Sequence, residues 1–474
     1  MKVKFITCFF FFMFSFLNAQ NGIKGDNFDF DKESEEQPQI VLADNYNHYL
    51  FSVKNKDGML TNHKLILRKF DQKNQLVDTF IKDFAIDIST LHNFHGAYEI
   101  DNSKIAFIIE SYSNKRKINE LFKYVFDKKS GQFSSEVIAS YKSTEQKKFG
   151  YFNVKKSQNN RFIGITYDAG NKKKEPEVTQ CLVLNNTTFD KVYEKTVQFQ
   201  DEFYTDEKIM ANSGNLIFLR RPRSYKETNY FVVISKDNES KKTIDENTRV
   251  HKPIAISIGT QDYLIAFNYR DKGIRRGDFG SVLLYDVEAG NILKNNEIED
   301  FNKTKDIEEV NLGSVFVENN QIRLFVEGRY KSGTKPSTTF PNSAMKDPVY
   351  NYGPSHILVF SLDGTLTKNI KLEVNPSSEP NLYHSFGMIN IKGDYVIHPG
   401  TYYKGSSLHN WLYKINPNND FAVSNLNYRY HIADHLSYKF VNQIVHYFPD
   451  TNRFLTAVVQ TNENKMGLLS FTLE

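Results

Sequence analysis

The chain has 474 residues, a formal net charge of +4 and two cysteines. A charge this close to balance gives no general grip on nucleic acid, and two cysteines cannot support a disulfide framework. Stability must come from a hydrophobic core, for which the length is ample.

Lys2 and Lys4 precede an almost unbroken apolar run from Phe5 to Leu17, and Leu17-Asn18-Ala19 ends on a small residue. This layout predicts a signal peptide over residues 1–19, and the run is short for a membrane span. Cys8 lies inside the run rather than at its end, so it does not resemble a lipid-attachment cysteine. The expectation is an exported, periplasmic or extracellular chain that starts near Gln20 and keeps Cys181 alone. No other stretch reads as transmembrane, and the chain is expected to be a monomer.

Residues 20–37 are polar and acidic, with one alternating piece, Asn27-Phe28-Asp29-Phe30-Asp31. A four-beat pattern starts at Pro38. Its first unit has strands at Ile40–Leu42, Tyr49–Val53, Leu65–Phe70 and Leu76–Phe80. Second strands recur at 105–109, 162–167, 216–219, 263–267, 322–326, 395–397 and 454–459. Third strands recur at 121–126, 181–184, 230–234, 282–285, 357–360, 411–413 and 468–471. The hairpin around Asp363-Gly364 is the clearest copy, an apolar strand running into a tight turn that needs φ > 0.

The residues that turn the chain after each third strand are Asp71, Asp127, Asn185, Asp237, Asp286, Asp363 and Asn416. Their separations are 56, 58, 52, 49, 77 and 53, and one insertion explains the outlier. Tyr (27) and Phe (39) are abundant, as strands prefer. A repeat of this length made of four antiparallel strands resembles the β-propeller superfamily, at the level of architecture and without a named subfamily. The fold class read here is all-β, a propeller of eight four-stranded blades, with seven as the alternative if two weak units merge. A row of β-sandwich domains is the rival. The domain spans residues 38–474, and the eighth unit ends after its third strand. The alternating 27–31 piece is therefore the expected closing strand, pairing the N-terminus with the last blade and leaving no open edge.

In a propeller the loops between second and third strands share a face with the loops that join blades, and that face commonly binds ligands. Here the former are cationic: Lys115-Arg116-Lys117; Arg220, Arg221, Arg223 and Lys226; Arg270, Lys272, Arg275 and Arg276; and Arg329, Lys331, Lys335 and Lys346. With Tyr225, Tyr269 and Tyr330 beside them, such groups could grip carboxylates or sulfates and stack on rings. The candidate ligand-binding set is Arg220, Arg221, Arg223, Tyr225, Arg270, Arg275, Arg276, Arg329, Tyr330 and Lys331. The inter-blade stretches 200–208 and 297–309 are net acidic, a patterned face that suits a mixed glycan or a protein better than nucleic acid. The insertion from Gly328 to Pro354 is expected to be an ordered flap across that face.

His431 and His435 stand four apart around Asp434, but in an expected inter-blade loop and without the glutamate of zinc proteases, so no metal site is assigned. Asn185 and Asn186 sit in glycosylation sequons, and Arg276-Gly277-Asp278 is a chance tripeptide. No nucleophile elbow or phosphate-cradling loop is present, and no cofactor is expected. The leading expectation is an exported binding or scaffolding module for an anionic glycan or an envelope protein. The alternatives are a polysaccharide-active hydrolase or lyase, with Glu308, Glu309 and Asp206 as acids and His384 and His431 as bases, and a purely structural envelope protein.

Overall fold

The computed structural model describes residues 23–472 apart from 32–33, 45, 56–61, 85–89, 143–149, 169–176, 200–202, 223–227, 245–247, 249, 270–278, 300, 302–306, 337–345, 373–386, 392–393, 399–400, 405–406, 411, 420, 427–437 and 461–463. The expected signal peptide lies outside these residues. No helix among the described residues is long and apolar enough to cross a membrane.

Eight antiparallel meanders follow one another, and the fold is an all-β propeller with eight blades among the described residues. In the order A to D, blade 1 is Glu35–Val41, Asn47–Asn55, Asn62–Asp71 and Leu76–Asp83. Blade 2 is Thr90–Asp101, Lys104–Ser113, Ile118–Asp127 and Gln132–Lys142. Blade 3 is Tyr151–Lys156, Phe162–Asp168, Glu177–Asn185 and Lys191–Phe199. Blade 4 is Phe203–Met210, Leu216–Pro222, Tyr230–Ile234 and Glu239–Thr243. Blade 5 is Val250–Ile258, Gln261–Tyr269, Phe279–Asp286 and Asn291–Glu297. Blade 6 is Ile307–Glu318, Gln321–Pro336, Lys346–Ser361 and Leu366–Leu372, and blade 7 is Gly387–Ile391, Asp394–His398, Leu412–Asn416 and Ala422–Leu426. Blade 8 takes Tyr438–Phe448, Arg453–Gln460 and Lys465–Thr472 from the C-terminus.

The eight-blade count stands, and the sandwich and seven-blade alternatives do not. Two compact units divide the chain: residues 55–64 with 82–374, which hold blades 2 to 6, and residues 1–54, 65–81 and 375–474, which hold blades 1, 7 and 8.

Strand B reads as a continuous apolar run because both of its faces are covered. In blade 5, Leu264 and Ala266 pack with Leu219 and Phe231 of blade 4. The alternate residues Ile265 and Phe267 pack with Val310, Leu324 and Leu358 of blade 6. This is the period of two that sends successive side chains to opposite faces. Strand D lies at the rim and is charged, as in Glu239–Thr243, which protects an exposed edge from pairing. The turn residues work as their type suggests. The side chains of Asp71, Asp127, Asn185, Asp286 and Asn416 accept backbone N–H bonds from residues two to four further on. Blade 4 differs, since Ser235 rather than Asp237 holds the turn, bonded to Asn238.

The expected closing strand forms. Phe28 and Asp29 pair with Met466 and Lys465, and the earlier piece Ile23–Lys24 pairs with Ser470 and Leu469. Phe28 and Phe30 enter a core with Ile40, Leu50 and Phe70 of blade 1 and Leu455, Ala457 and Leu468 of blade 8. A buried ion pair fastens this junction. Arg68 donates to both Glu35 oxygens at 2.9 Å each and to the Asp29 carbonyl at 3.0 Å, while the Ser52 hydroxyl donates to Glu35 at 2.5 Å. The guanidinium also sits 5.2 Å from the Phe28 ring centroid.

Two connections differ from expectation. The 328–354 insertion, expected as an ordered flap across the face, continues the blade: strands B and C of blade 6 run on to 16 residues each, paired out to Pro336 and Lys346. The connection between strands B and C of blade 7 carries a small hairpin, Thr401–Lys404 with Ser407–Asn410.

Truncating one partner of the Arg68–Glu35 pair strands a buried charge. Arg68→Met should therefore lower stability by about 3 kcal/mol in urea titration, and Arg68→Met with Glu35→Leu should recover most of that loss. Gly364 sits at φ +83° with a Cβ position only 2.9 Å from Leu284 Cδ2 of blade 5. Gly364→Ala should cost about 1–2 kcal/mol by the same measurement, through backbone strain and displacement of that leucine.

Candidate functional site

The B–C end of blades 2 to 6 concentrates buried polar groups. Lys104, Phe162, Tyr263 and Gln321 face the turn residues Asp127, Asn185, Asp286 and Ser361. Six places further along strand B stand Glu110, Asp168, Tyr269 and Glu327, and Arg221 holds the same place in blade 4. This position reaches strand A of the following blade in four cases. Glu110 accepts the Phe152 backbone N–H at 3.1 Å, and Asp168 is ion-paired with Lys208. Arg221 donates to the Val250 carbonyl at 3.0 Å, and the Tyr269 hydroxyl accepts the Val310 N–H at 3.1 Å. These bonds satisfy polar groups that burial would otherwise penalise, and they tie each blade to the next.

The arginines expected in a ligand loop at this end are strand residues with carboxylate partners. Arg220 is fully buried, bonded to Glu177 at 2.8 Å, with its guanidinium carbon 3.7 Å from the Phe199 ring centroid of blade 3. Arg221 bonds to Glu207 at 2.7 Å and to His251 Nδ1 at 2.7 Å, and Glu207 also accepts the Lys252 N–H. Placing Arg220 and Arg221 in a loop is therefore corrected: opposite faces of one strand point them at blades 3 and 5. Glu207 and Lys208, expected in an acidic inter-blade loop, belong to strand A of blade 4. In blade 2 the loop is as expected, with exposed Arg116 bonded to Glu120.

Arg223, Tyr225, Arg270, Arg275, Arg276, His384, His431 and His435 lie outside the described residues, as does the Arg276-Gly277-Asp278 tripeptide. The side chains of Asp206, Glu308, Glu309, Tyr330 and Lys331 do too. Register still places Arg329 opposite Tyr352, Tyr330 opposite Asn351 and Lys331 opposite Tyr350 in the extended part of blade 6. Asn186, in one of the sequons, is buried, and its amide donates to the Asn160 carbonyl at 2.8 Å.

Two features of this end were not anticipated. The first is a polar group around Glu110. Its carboxylate accepts from His95 Nε2 at 3.0 Å, Asn93 Nδ2 at 3.3 Å and Asn119 Nδ2 at 2.5 Å, besides the Phe152 N–H. Burial pushes this carboxyl up, but the bonds from His95 and Asn119 outweigh it and hold Glu110 below its ordinary range. His95 is the extra residue of a bulge, since Phe94 faces Ile109 and Gly96 faces Ile108.

The second is Glu327, the member of the strand B series that bonds to nothing among the described residues. Its Oε2 and the Oγ of Ser355, directly opposite in register, are both buried without a hydrogen-bond partner there. Burial raises the Glu327 carboxyl to about 8, so it is neutral at pH 7. At the inner turn the Gln158 amide of blade 3 donates to the Val315 carbonyl of blade 6 at 2.8 Å, and Asn159 bonds to Asn212 of blade 4. Those ends of the inner strands are thereby drawn together.

In the other unit, burial and the charge of Arg453 lower His48 to about 3, and the same causes lower His446 to about 4. Both are aromatic packing residues: the His48 ring stacks on Phe70, and His446 meets Phe448 edge-on.

No family model matches the chain, and no curated protein matches it. Among solved structures it is similar to the WD40 domain of SCAP from fission yeast, at 10% identity and TM-score 0.41, over 94% of this chain and 98% of that one. It is also similar to the β-propeller domain of the Trilobed protease from Pyrococcus furiosus, at 11% identity and TM-score 0.39, over 84% and 96%. A polysaccharide lyase, the PL25 ulvan lyase, matches at 8% identity and TM-score 0.36, over 78% and 90%. At such identities the likeness concerns the fold alone.

Glu327 gives a signed pH dependence. The folded state keeps its proton up to about pH 8 while the unfolded chain releases it near the ordinary value of 4.5, so stability falls as pH rises between the two. Glu327→Gln should raise stability at pH 8.5 by on the order of 3 kcal/mol, with little effect at pH 4. Urea titrations of both proteins across that range check it; parallel curves would show that Glu327 ionises normally.

Proposed function

We propose that this propeller is an exported binding or scaffolding module whose ligand is an anionic glycan of the cell envelope or its surroundings. The extended hairpin of blade 6 is its main contact element in this reading. The observation that carries the reading is the register of that hairpin. Arg329 stands opposite Tyr352 and Lys331 opposite Tyr350, two basic–tyrosine pairings at positions two residues apart along the ribbon. Among the described residues strand A pairs with it as far as Tyr330 and strand D from Ser355 onward, while strands B and C pair with each other out to Pro336 and Lys346.

Lys335 and Lys346 add to a cationic balance that Asp347 offsets only in part. Cations interleaved with tyrosines suit a polymer carrying carboxylate or sulfate groups on flat sugar rings. The ion pairs at the B–C end support the reading in a second way. Glu177, Glu207 and Asp168 already engage Arg220, Arg221 and Lys208, so these cations are taken up within the protein and a ligand would be met by others. Export rests on the Lys2–Ala19 segment.

A glycan array probed with the mature chain over about 50 to 500 mM salt tests this, because charge-driven contacts at a protein surface are screened over that range. Acidic polysaccharides should be retained at low salt and lost at high salt. Lys331→Gln with Lys335→Gln and Lys346→Gln should weaken retention about tenfold. Retention that ignores both salt and these substitutions, or capture of acidic proteins in place of glycans, would overturn the assignment.

A further inference from the structure

We propose that the junction between blades 1 and 8 is a pH-sensitive latch, held while His48 and His446 are neutral and released when acid charges them. The proposal stands apart from the glycan reading and does not need it. It starts from an imidazole where a phenyl ring would pack as well. His48 is fully buried, its ring centroid lies 5.6 Å from that of Phe70 at an interplanar angle of 8°, and Phe448 of blade 8 meets it at 6.3 Å. Neither ring nitrogen has a hydrogen-bond partner among the described residues. The place uses the shape of the ring and leaves two polar atoms unsatisfied, a cost that phenylalanine would not carry.

The surroundings decide what a proton would do there. Burial is the largest influence and disfavours the charged ring, and Arg453 and His446 of blade 8 act the same way. Asp71, at the end of strand C, and Asp44, in the A–B turn, act against them from blade 1. Arg453 is fixed: its guanidinium carbon lies 4.2 Å from the Phe448 ring centroid, and Nη1 donates to the Gln72 carbonyl of blade 1 at 3.0 Å. The His446 ring packs on the same phenylalanine at 4.7 Å. Acid would therefore add two charges beside a third, inside aromatic packing, and only the entry of water relieves that arrangement.

The packing leads on to the closing strand. Phe70, on which His48 stacks, also meets Phe28 at 5.2 Å, and Phe28, Phe70 and Phe448 share one core. Two pairings of two residues each hold that strand to blade 8, helped by the Gly25 and Phe30 N–H groups on the Leu468 and Asn464 carbonyls. So short a ladder opens at lower cost than a blade interior. The sign follows from the protonation states. In the folded protein His48 is lowered to about 3 and His446 to about 4, against 6.5 once the junction is open. The open form binds more protons in that window, so the latch is at full strength above pH 6.5 and weakens as pH falls below it.

Hydrogen exchange of the mature chain tests this, read as protection factors at about pH 7.5 and 4.5 so that the intrinsic pH dependence of exchange cancels. The amides of Gly25 and Phe30 should lose protection about a hundredfold or more in acid, while those of Ile265 and Leu283 in the middle strands of blade 5 keep theirs. His48→Phe with His446→Phe keeps the ring packing and removes both proton sites, and should hold the Gly25 and Phe30 amides at both pH values. Loss of protection in all blades together would be general acid unfolding and would overturn the latch. Equal loss in the double variant would assign the effect to other groups at the junction, such as Glu35, and would overturn it as well. If the double variant does not fold, ¹³Cε1 titration of the two histidines in the parent decides. Midpoints below about 5 that coincide with the loss of Gly25 and Phe30 protection support the latch. Ordinary midpoints near 6.5 with protection unchanged refute it.

Discussion

A four-stranded sheet covered on both faces must satisfy any polar group on its middle strands within the protein, and much of this molecule follows from that constraint. In blades 2 to 5 the position six residues along strand B carries Glu110, Asp168, Arg221 or Tyr269. Each meets a group on strand A of the next blade. The chemistry differs in every case while the geometry repeats. Apolar stacking supplies most of the stabilisation, with nothing directional in it. These bonds supply the direction, setting the B–C end of one blade against the start of the next.

Glu327 departs from that rule. It holds the same register position, its side chain is buried, and it bonds to nothing among the described residues, while Ser355 opposite it also keeps an unpartnered hydroxyl. The cost is reduced by keeping the proton, as the raised carboxyl shows. It lies at the root of the longest hairpin among the described residues, that of blade 6. Local rules of a fold are most often broken beside functional elements, and this is where the basic and aromatic positions of the ribbon begin.

Much of the architecture was legible in the sequence. The strand pattern and the turn residues are local signals: Asp127 or Asn185 bonds to N–H groups two or three residues away, so its role can be read from its neighbours. The closing strand was legible for another reason. The last unit lacked a fourth strand, and Asn27 to Asp31 alternates as an edge strand should. The candidate site was far less legible. Arg220 and Arg221 look like neighbours in one cationic loop, yet a period of two sends one to Glu177 and the other to Glu207 and His251. The insertion in blade 6 reads in the sequence as an ordered flap without strand periodicity, and its pairing as a continuation of strands B and C emerges only from the register.

The amino-acid sequence by itself determined the repeat and favoured eight blades, because both depend on strand periodicity and turn chemistry within about fifty residues, and it pointed to the closing strand through an alternating piece at the far end of the chain. Only the tertiary structure decided which charges are already paired. Glu110 belongs with His95 and Phe152, and Asp168 with Lys208, because blades stack face to face and bring together side chains from different strands and from successive repeats. No local pattern records such partners.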